Sequence, residues 1–273
     1  MERQAIMNPA RVAAILLRQL YLYRGSAARV VPLFAWVTID MVLWGFMTKF
    51  LGALAHTTYR FVPALLGAVL FWDFMTRVMQ GVTTAFFEDV WSRNFLNIFA
   101  TPITMSEYIA GLLLSSLVTS LVGLGVMIAV AGAAFGLSFA AYGVIALPFV
   151  LVLLLSGMAL GITAIAIVLR FGPAAEWFIW PIPALLSPFA CVYYPLSTLP
   201  VRLQWFARLL PPTYVFEGLR AVVAGHGLEG SLLGAALLLA GAYILLAYGI
   251  FARVFRHALQ SGLITRYSAE TVS

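Results

Sequence analysis

Stretches of about 20 residues with almost no charge recur along this chain, and nothing constrains its fold more. At 1.5 Å per residue, a helix of that length matches a hydrocarbon core about 30 Å thick. The runs fall at about Val30–Phe50, Phe61–Phe86, Ile109–Phe135, Tyr142–Leu169, Ala174–Tyr194 and Leu232–Phe251. They are continuously apolar and lack the period-two alternation of a membrane β-barrel strand. Only 10% of residues are charged, against about a quarter in soluble domains. The expected fold is an all-α polytopic membrane protein with six transmembrane helices, one membrane domain over residues 1–273. The fifth run carries Pro181, Pro183 and Pro188, so that span is expected to be kinked or locally unwound.

Charge sorts the two sides. With the N-terminus inside, Arg3, Arg11, Arg18, Arg24, Arg29, Arg93, Arg170, Arg253, Arg256 and Arg266 face the cytoplasm. Lys49, Arg60, Arg202, Arg208 and Arg220 then face outward. Ten cations against five favour this orientation, because short loops rich in Lys and Arg stay on the cytoplasmic side. The net charge of +6 is read as that bias and not as a nucleic-acid surface. Arg11, Arg18 and Gln19 interrupt Ile15, Leu16, Leu20 and Tyr23 at helical spacing. Pro9 to Tyr23 is therefore expected as an amphipathic helix along the inner interface. Residues 1–29 become cytoplasmic or interfacial, 30–251 hold the spans, and 252–273 form a cytoplasmic tail. A single cysteine, Cys191, excludes an intrachain disulfide.

Two connections exceed a tight turn. The outer one, Pro195 to Gly230, divides at Pro211-Pro212 into two short amphipathic helices, Leu199–Leu210 and Thr213–Ala224. Both are too short to span, so they are expected as re-entrant or interfacial elements, with Gly225 ending the second. The inner one is "FFEDVWSRNFLNIFATPITMSEY", Phe86 to Tyr108. Phe87, Trp91, Phe95 and Ile98 form one stripe at helical spacing, opposite Asp89, Ser92 and Arg93, with Asp89 and Arg93 an i,i+4 pair. Pro102 stops that helix, and Thr104…Glu107 reads as a capping box opening the third span. The segment is either an interfacial connection or a docking helix for a cytoplasmic partner.

Ionisable residues inside spans are costly and need a reason. Asp40 lies about 15 Å from the inner surface along the first span, and Asp73 lies at a similar depth in the second. Asp73 and Arg77 are i,i+4 and neutralise one another in the simplest reading. Asp40 has Trp36 and Trp44 at its i±4 positions. A polar cluster of Asp40, Asp73 and Arg77 across the helix interface accounts for all three; a proton or cation relay is the alternative. Gly157 and Gly161 form a GxxxG pair, read as close helix packing, within the bundle or between subunits. Trp177, Trp180, Tyr193 and Tyr194 serve as interface anchors or as pathway lining. His56, His226 and His257 are scattered with no ligand motif, so no metal site is expected, and no catalytic constellation is visible. Lys49, the only lysine, follows Thr48, so the chain has no GxxxxGK phosphate loop.

Over nearly its full length the chain resembles the membrane subunits of type-2 ABC exporters. The resemblance rests on "EDVWSRNFLNIFATPITMSEYIAG" after the second span, the proline-rich fifth span, and "LQWFARLLPPTYVFEGLRAVVAG" before the last. A proline-tyrosine pair followed by a leucine-arginine helix falls on Pro212, Tyr214, Leu219 and Arg220. It implies a homodimer in the bacterial cytoplasmic (inner) membrane, working with two copies of a separate ATP-binding subunit that holds ATP and Mg. No cofactor is expected in this chain. Glu88 to Phe99 would be the coupling helix, with Glu88, Asp89, Trp91, Arg93, Asn94 and Phe95 meeting the ATPase. The outer short helices would restrict the exit, giving Tyr193, Tyr194, Tyr214, Glu217 and Arg220 a gate or pathway role. An amphipathic cargo such as a glycolipid, a lipid-linked glycan or polysaccharide, or a hydrophobic drug suits the aromatic, weakly charged interior. An ion-coupled secondary transporter using Asp40 and Asp73 is the reading from another class.

Overall fold

In lipid a helix is favoured because it satisfies its own backbone hydrogen bonds, and helices joined by turns account for the described residues. A computed structural model describes residues 7–54, 61–92, 94–136, 146–227 and 230–261. In order these form α1 (Pro9–Arg24), α2 (Ala27–Leu54), α3 (Phe61–Trp91), α4 (Phe95–Phe99), α5 (Met105–Phe135) and α6 (Ala146–Phe171). The short α7 (Glu176–Ile179), α8 (Ile182–Leu186) and α9 (Val201–Ala207) follow, then α10 (Pro211–Val223) and the long α11 (Gly230–Gln260). Among the described residues, α2, α5, α6 and α11 are each long and apolar enough to cross a membrane. At 31 residues α3 is as long as α5, but it carries Asp73 and Arg77 near its middle. The expected fifth span is not one helix. A 3₁₀ turn at Pro173–Ala175, then α7, then α8 break where prolines 181, 183 and 188 interrupt the backbone ladder.

α6 sits at the centre, packed between α3 and α11; α5 lies on the other side of α3 and carries both α1 and α2. The GxxxG pair explains the tight α3–α6 contact. A Cβ built at Gly157 would stand 2.6 Å from the Met75 carbonyl oxygen, and one at Gly161 2.9 Å from Val82 Cβ. Both glycines are thus used inside the bundle. Two apolar cores result. One, toward the α10 end, gathers Leu70, Phe71, Phe74, Phe149, Leu153 and Phe216. The other, toward the α1 end, gathers Phe86, Phe87, Ile109, Leu112, Ile165 and Phe251.

Several ends differ from the sequence reading for local reasons. α10 begins at Pro211 rather than Thr213, since proline is tolerated at helix positions N1 and N2. It stops before Gly225, whose φ of +85° closes the turn. The Thr104–Glu107 capping box forms as expected: Glu107 N–H donates to Thr104 Oγ1 at 3.3 Å and Thr104 N–H to Glu107 Oε2 at 2.8 Å. Glu88–Phe99 is a larger departure, because it is not one helix. α3 runs on through Trp91, carried by the buried Phe86, Phe87 and Val90, and α4 begins only at Phe95.

Candidate functional site

The α1 end of the bundle is built around one carboxylate. Asp89, expected on the solvent-facing side of its helix, is fully buried. Arg18 of α1 grips it with both guanidinium nitrogens, one Nη1–Oδ2 contact measuring 3.0 Å. Tyr108 of α5 donates its hydroxyl to Oδ2 at 2.7 Å. Burial pulls the Arg18 guanidinium down, but the Asp89 hydrogen bond and charge outweigh it and hold it above the usual arginine value. Asp89 is therefore paired to Arg18, 71 residues away. Arg93 and the Phe95 side chain lie outside the described residues.

Two further ion pairs flank this brace, one on α1 and one on α2. At the start of α1, Asn8 N–H donates to Glu107 Oε1 at 2.8 Å and Arg11 Nη1 lies 3.5 Å from Oε2. On α2, Arg29 Nε approaches Glu88 Oε1 at 3.2 Å. The buried Val12, Ile15 and Gln19 face the bundle, so α1 is docked against α5. The predicted stripe divides: Phe87 and Ile98 are buried, while Trp91 is 54% exposed beside Phe87. Asn94 starts α4, its carbonyl accepting from Ile98 N–H at 3.1 Å. Phe99 at the end of α4 meets Tyr108 of α5 and Phe255 of α11 edge-on or tilted, at 5.4 and 6.4 Å.

Asp40, Asp73 and Arg77 do come together. They border one cavity of about 570 Å³ between α2, α3 and α5. On the α3 wall Asp73, Thr76, Arg77, Gln80, Thr84 and Glu88 follow one another at helical spacing. Sequence reasoning took Asp73 and Arg77 as a pair and missed the stripe; the recurrence of polar residues every three or four positions was its signal. Arg77 crosses α5 at Gly123, where a Cβ would stand 3.4 Å from its Cδ. Tyr193 is stacked on Trp44 at 4.9 Å, near this cluster.

The remaining gate candidates form a different structure. Glu217 Oε1 and Arg220 Nη2 pair at 2.7 Å across one turn of α10. Arg220 also donates to the carbonyls of Cys191 and Val192, at 2.8 and 3.4 Å, and Leu196 N–H donates to Glu217 Oε1 at 2.8 Å. Together they bolt the 191–196 backbone to α10 and hold Cys191 at φ +56°, a left-handed conformation rare for a side-chain-bearing residue. Tyr194 and Tyr214 donate to the carbonyls of Pro188 and Arg208, at 2.7 and 2.8 Å. Among the described residues no group of three or more His, Cys, Asp or Glu side chains is arranged to hold a metal ion.

Long apolar helices, a broken proline-rich segment and a charged brace at one end define a multi-pass α-helical membrane protein. The chain belongs to the ABC-2 type transporter family, whose family model matches residues 12–224, from the first turn of α1 to the end of α10. It is a membrane subunit of a type-2 ABC transporter. A comparison with curated proteins gave no match.

Proposed function

We propose that this chain is the permease of an exporter, paired as a homodimer and driven by two copies of a separate ATP-binding subunit. The ATPase docks at the α1 end, on the cytoplasmic side, against the tip of α3 and α4. Asp89 carries this reading. Because it ties α3 to α1 and α5 through Arg18 and Tyr108, a push on the exposed Trp91 beside it moves three helices together. A loop without such a brace would bend and absorb the motion. Phe99 passes the same displacement to α5 and α11. The chain supplies no phosphate loop, so ATP and Mg belong to the partner. The cargo is amphipathic, moved out of the cytoplasm or the inner leaflet.

The test is purification of the tagged full chain from native membranes in mild detergent, with co-purifying proteins identified and counted. A phosphate-loop ATPase at a one-to-one ratio, reduced by Trp91→Ala, is the expected result. Absence of any ATPase, under conditions that preserve a known ABC complex, overturns the proposal. The carboxylates bordering one cavity favour a second reading, ion-coupled transport through Asp40 and Asp73. That reading requires transport in vesicles to survive ATP depletion and to collapse with the proton gradient.

A further inference from the structure

Two neighbouring helices carry matching stripes. On α6, Leu160, Thr163, Ile167 and Arg170 recur at spacings of three, four and three; on α11, Leu246, Ile250, Arg253 and His257 recur at four, three and four. Each row therefore follows one helix face and turns from apolar to basic at the C-terminal end. α6 and α11 pack side by side, and Arg170 Nη1 stands 3.3 Å from His257 Nε2, so the basic ends meet. Phe251 and Phe255 take the other side of α11, stacked at 6.0 Å against the core. Arg170, Arg253 and His257 are left exposed.

Toward the middle of the same two helices lies an apolar cavity of about 250 Å³. Leu160 and Thr163 border it from α6, and Leu246 and Ile250 from α11. Ser156 and Thr163, also in its wall, donate their hydroxyls to carbonyls of their own helix at 2.8 Å. Those hydroxyls are already satisfied, and the wall offers a guest mainly apolar surface. A cavity of ~150 Å³ with such walls already takes a benzene-sized guest. Leu246 is 56% exposed, so the space opens at the flank of the bundle. Thr163 precedes Arg170, and Ile250 precedes His257, by two turns, about 10 Å. That is within the ~15 Å of hydrocarbon belonging to one leaflet.

The basic end has no acid of its own. Among the described residues, no carboxylate pairs with Arg170, Arg253 or Arg256. Glu176, on the following α7, accepts from Trp180 Nε1 at 3.2 Å. The carbonyl ends of helices favour nearby cations, which explains an arginine on each helix. It does not explain why both stripes lead from that end into one apolar cavity.

We infer that the seam between α6 and α11 binds one anionic phospholipid of the surrounding bilayer, its phosphate at Arg170, Arg253 and His257 and one acyl chain in the cavity. This lipid is a fixed constituent that ties two helix ends together, separate from any cargo in the space between α2, α3 and α5. The site does not depend on an ATPase, so its failure would leave the co-purification result and the exporter reading untouched.

For the test, the full chain is delipidated in mild detergent and titrated with dioleoyl phosphatidylglycerol or dioleoyl phosphatidylcholine, and bound lipid is counted by native mass spectrometry. An arginine beside an anionic lipid is worth about fivefold in affinity, so phosphatidylglycerol should be preferred by about tenfold or more. Arg170→Gln/Arg253→Gln should abolish the preference, and Arg170→Lys/Arg253→Lys should keep most of it. Phosphatidylglycerol bearing a photoreactive diazirine midway along one chain should label residues 156–163 and 243–250. Equal binding of the two lipids, a preference that survives the glutamine variant, or labelling absent from those segments would overturn the inference. Should the glutamine variant fail to fold, the lipid preference and labelling map of the parent decide alone.

Discussion

At the residue scale, Asp89 is where local sequence reasoning and tertiary structure part. Within its own helix Asp89 belongs to a polar face, and Arg93 four residues on is the obvious partner. Folding brings Arg18 and Tyr108 to it from two other helices, which no periodicity in residues 86–108 encodes. Asp89→Asn removes the charge and leaves Arg18, 30% exposed at its side chain, without its counter-ion. The expected cost is about 1.5–3 kcal/mol, the range for a hydrogen bond to a charged group. Tyr108→Phe removes one hydroxyl from the same carboxylate and should cost about 1.5 kcal/mol, the low end of that range. Thermal unfolding of the detergent-solubilised variants orders them; equal midpoints for all three proteins would show that the brace contributes nothing.

At the element scale, the small residues have definite neighbours. Gly157 faces the Met75 carbonyl, so Gly157→Ala must push α6 off α3, at about 1–3 kcal/mol. Gly125 meets nothing within 4 Å, and Gly125→Ala should be neutral or stabilising by up to ~1 kcal/mol. The two melting curves should move in opposite directions, or only the first should fall. The segment after α8 offers a cleaner readout, because Cys191 is the chain's single cysteine and is fully buried. Arg220→Ala releases the Cys191 and Val192 carbonyls, and labelling of Cys191 by a membrane-permeant maleimide should rise several-fold over the unreactive parent. Unchanged labelling would mean that the clamp does not hold that backbone. Helix existence was largely legible at this scale: continuous apolar runs, the Thr104–Glu107 box and Gly225 all signal themselves locally. The division of residues 88–99 between α3 and α4 was not. The apolar contacts of Phe86, Phe87 and Val90 extend α3 past the point where charge suggests a boundary. The polar stripe on α3 was legible in spacing, but the cavity it lines exists only once α2 and α5 stand against it.

At the scale of the whole molecule, the exporter reading requires that motion at one end reach the far side of the bundle. The connections for this are continuous: α4 through Phe99 to α5 and α11, and α3 through Asp89 to α1 and α5. α6, packed between α3 and α11, must then follow its neighbours. If the Asp89 brace transmits force, weakening it should separate two activities that a mere docking surface would lose together. Asp89→Asn keeps Trp91 and the outer face of α4 in place, so the ATPase should still co-purify and hydrolyse ATP in proteoliposomes. Transport per ATP hydrolysed should fall by about tenfold, equivalent to ~1.4 kcal/mol of lost coupling. Trp91→Ala should do the reverse, lowering the amount of ATPase bound while leaving the stoichiometry of the remaining complexes near that of the parent. The pair distinguishes transmission from docking because the two residues are two positions apart on one helix, one buried and one exposed. If Asp89→Asn reduces transport only in proportion to the folded protein recovered, the brace is structural, and the motion must pass through α4 and Phe99 alone.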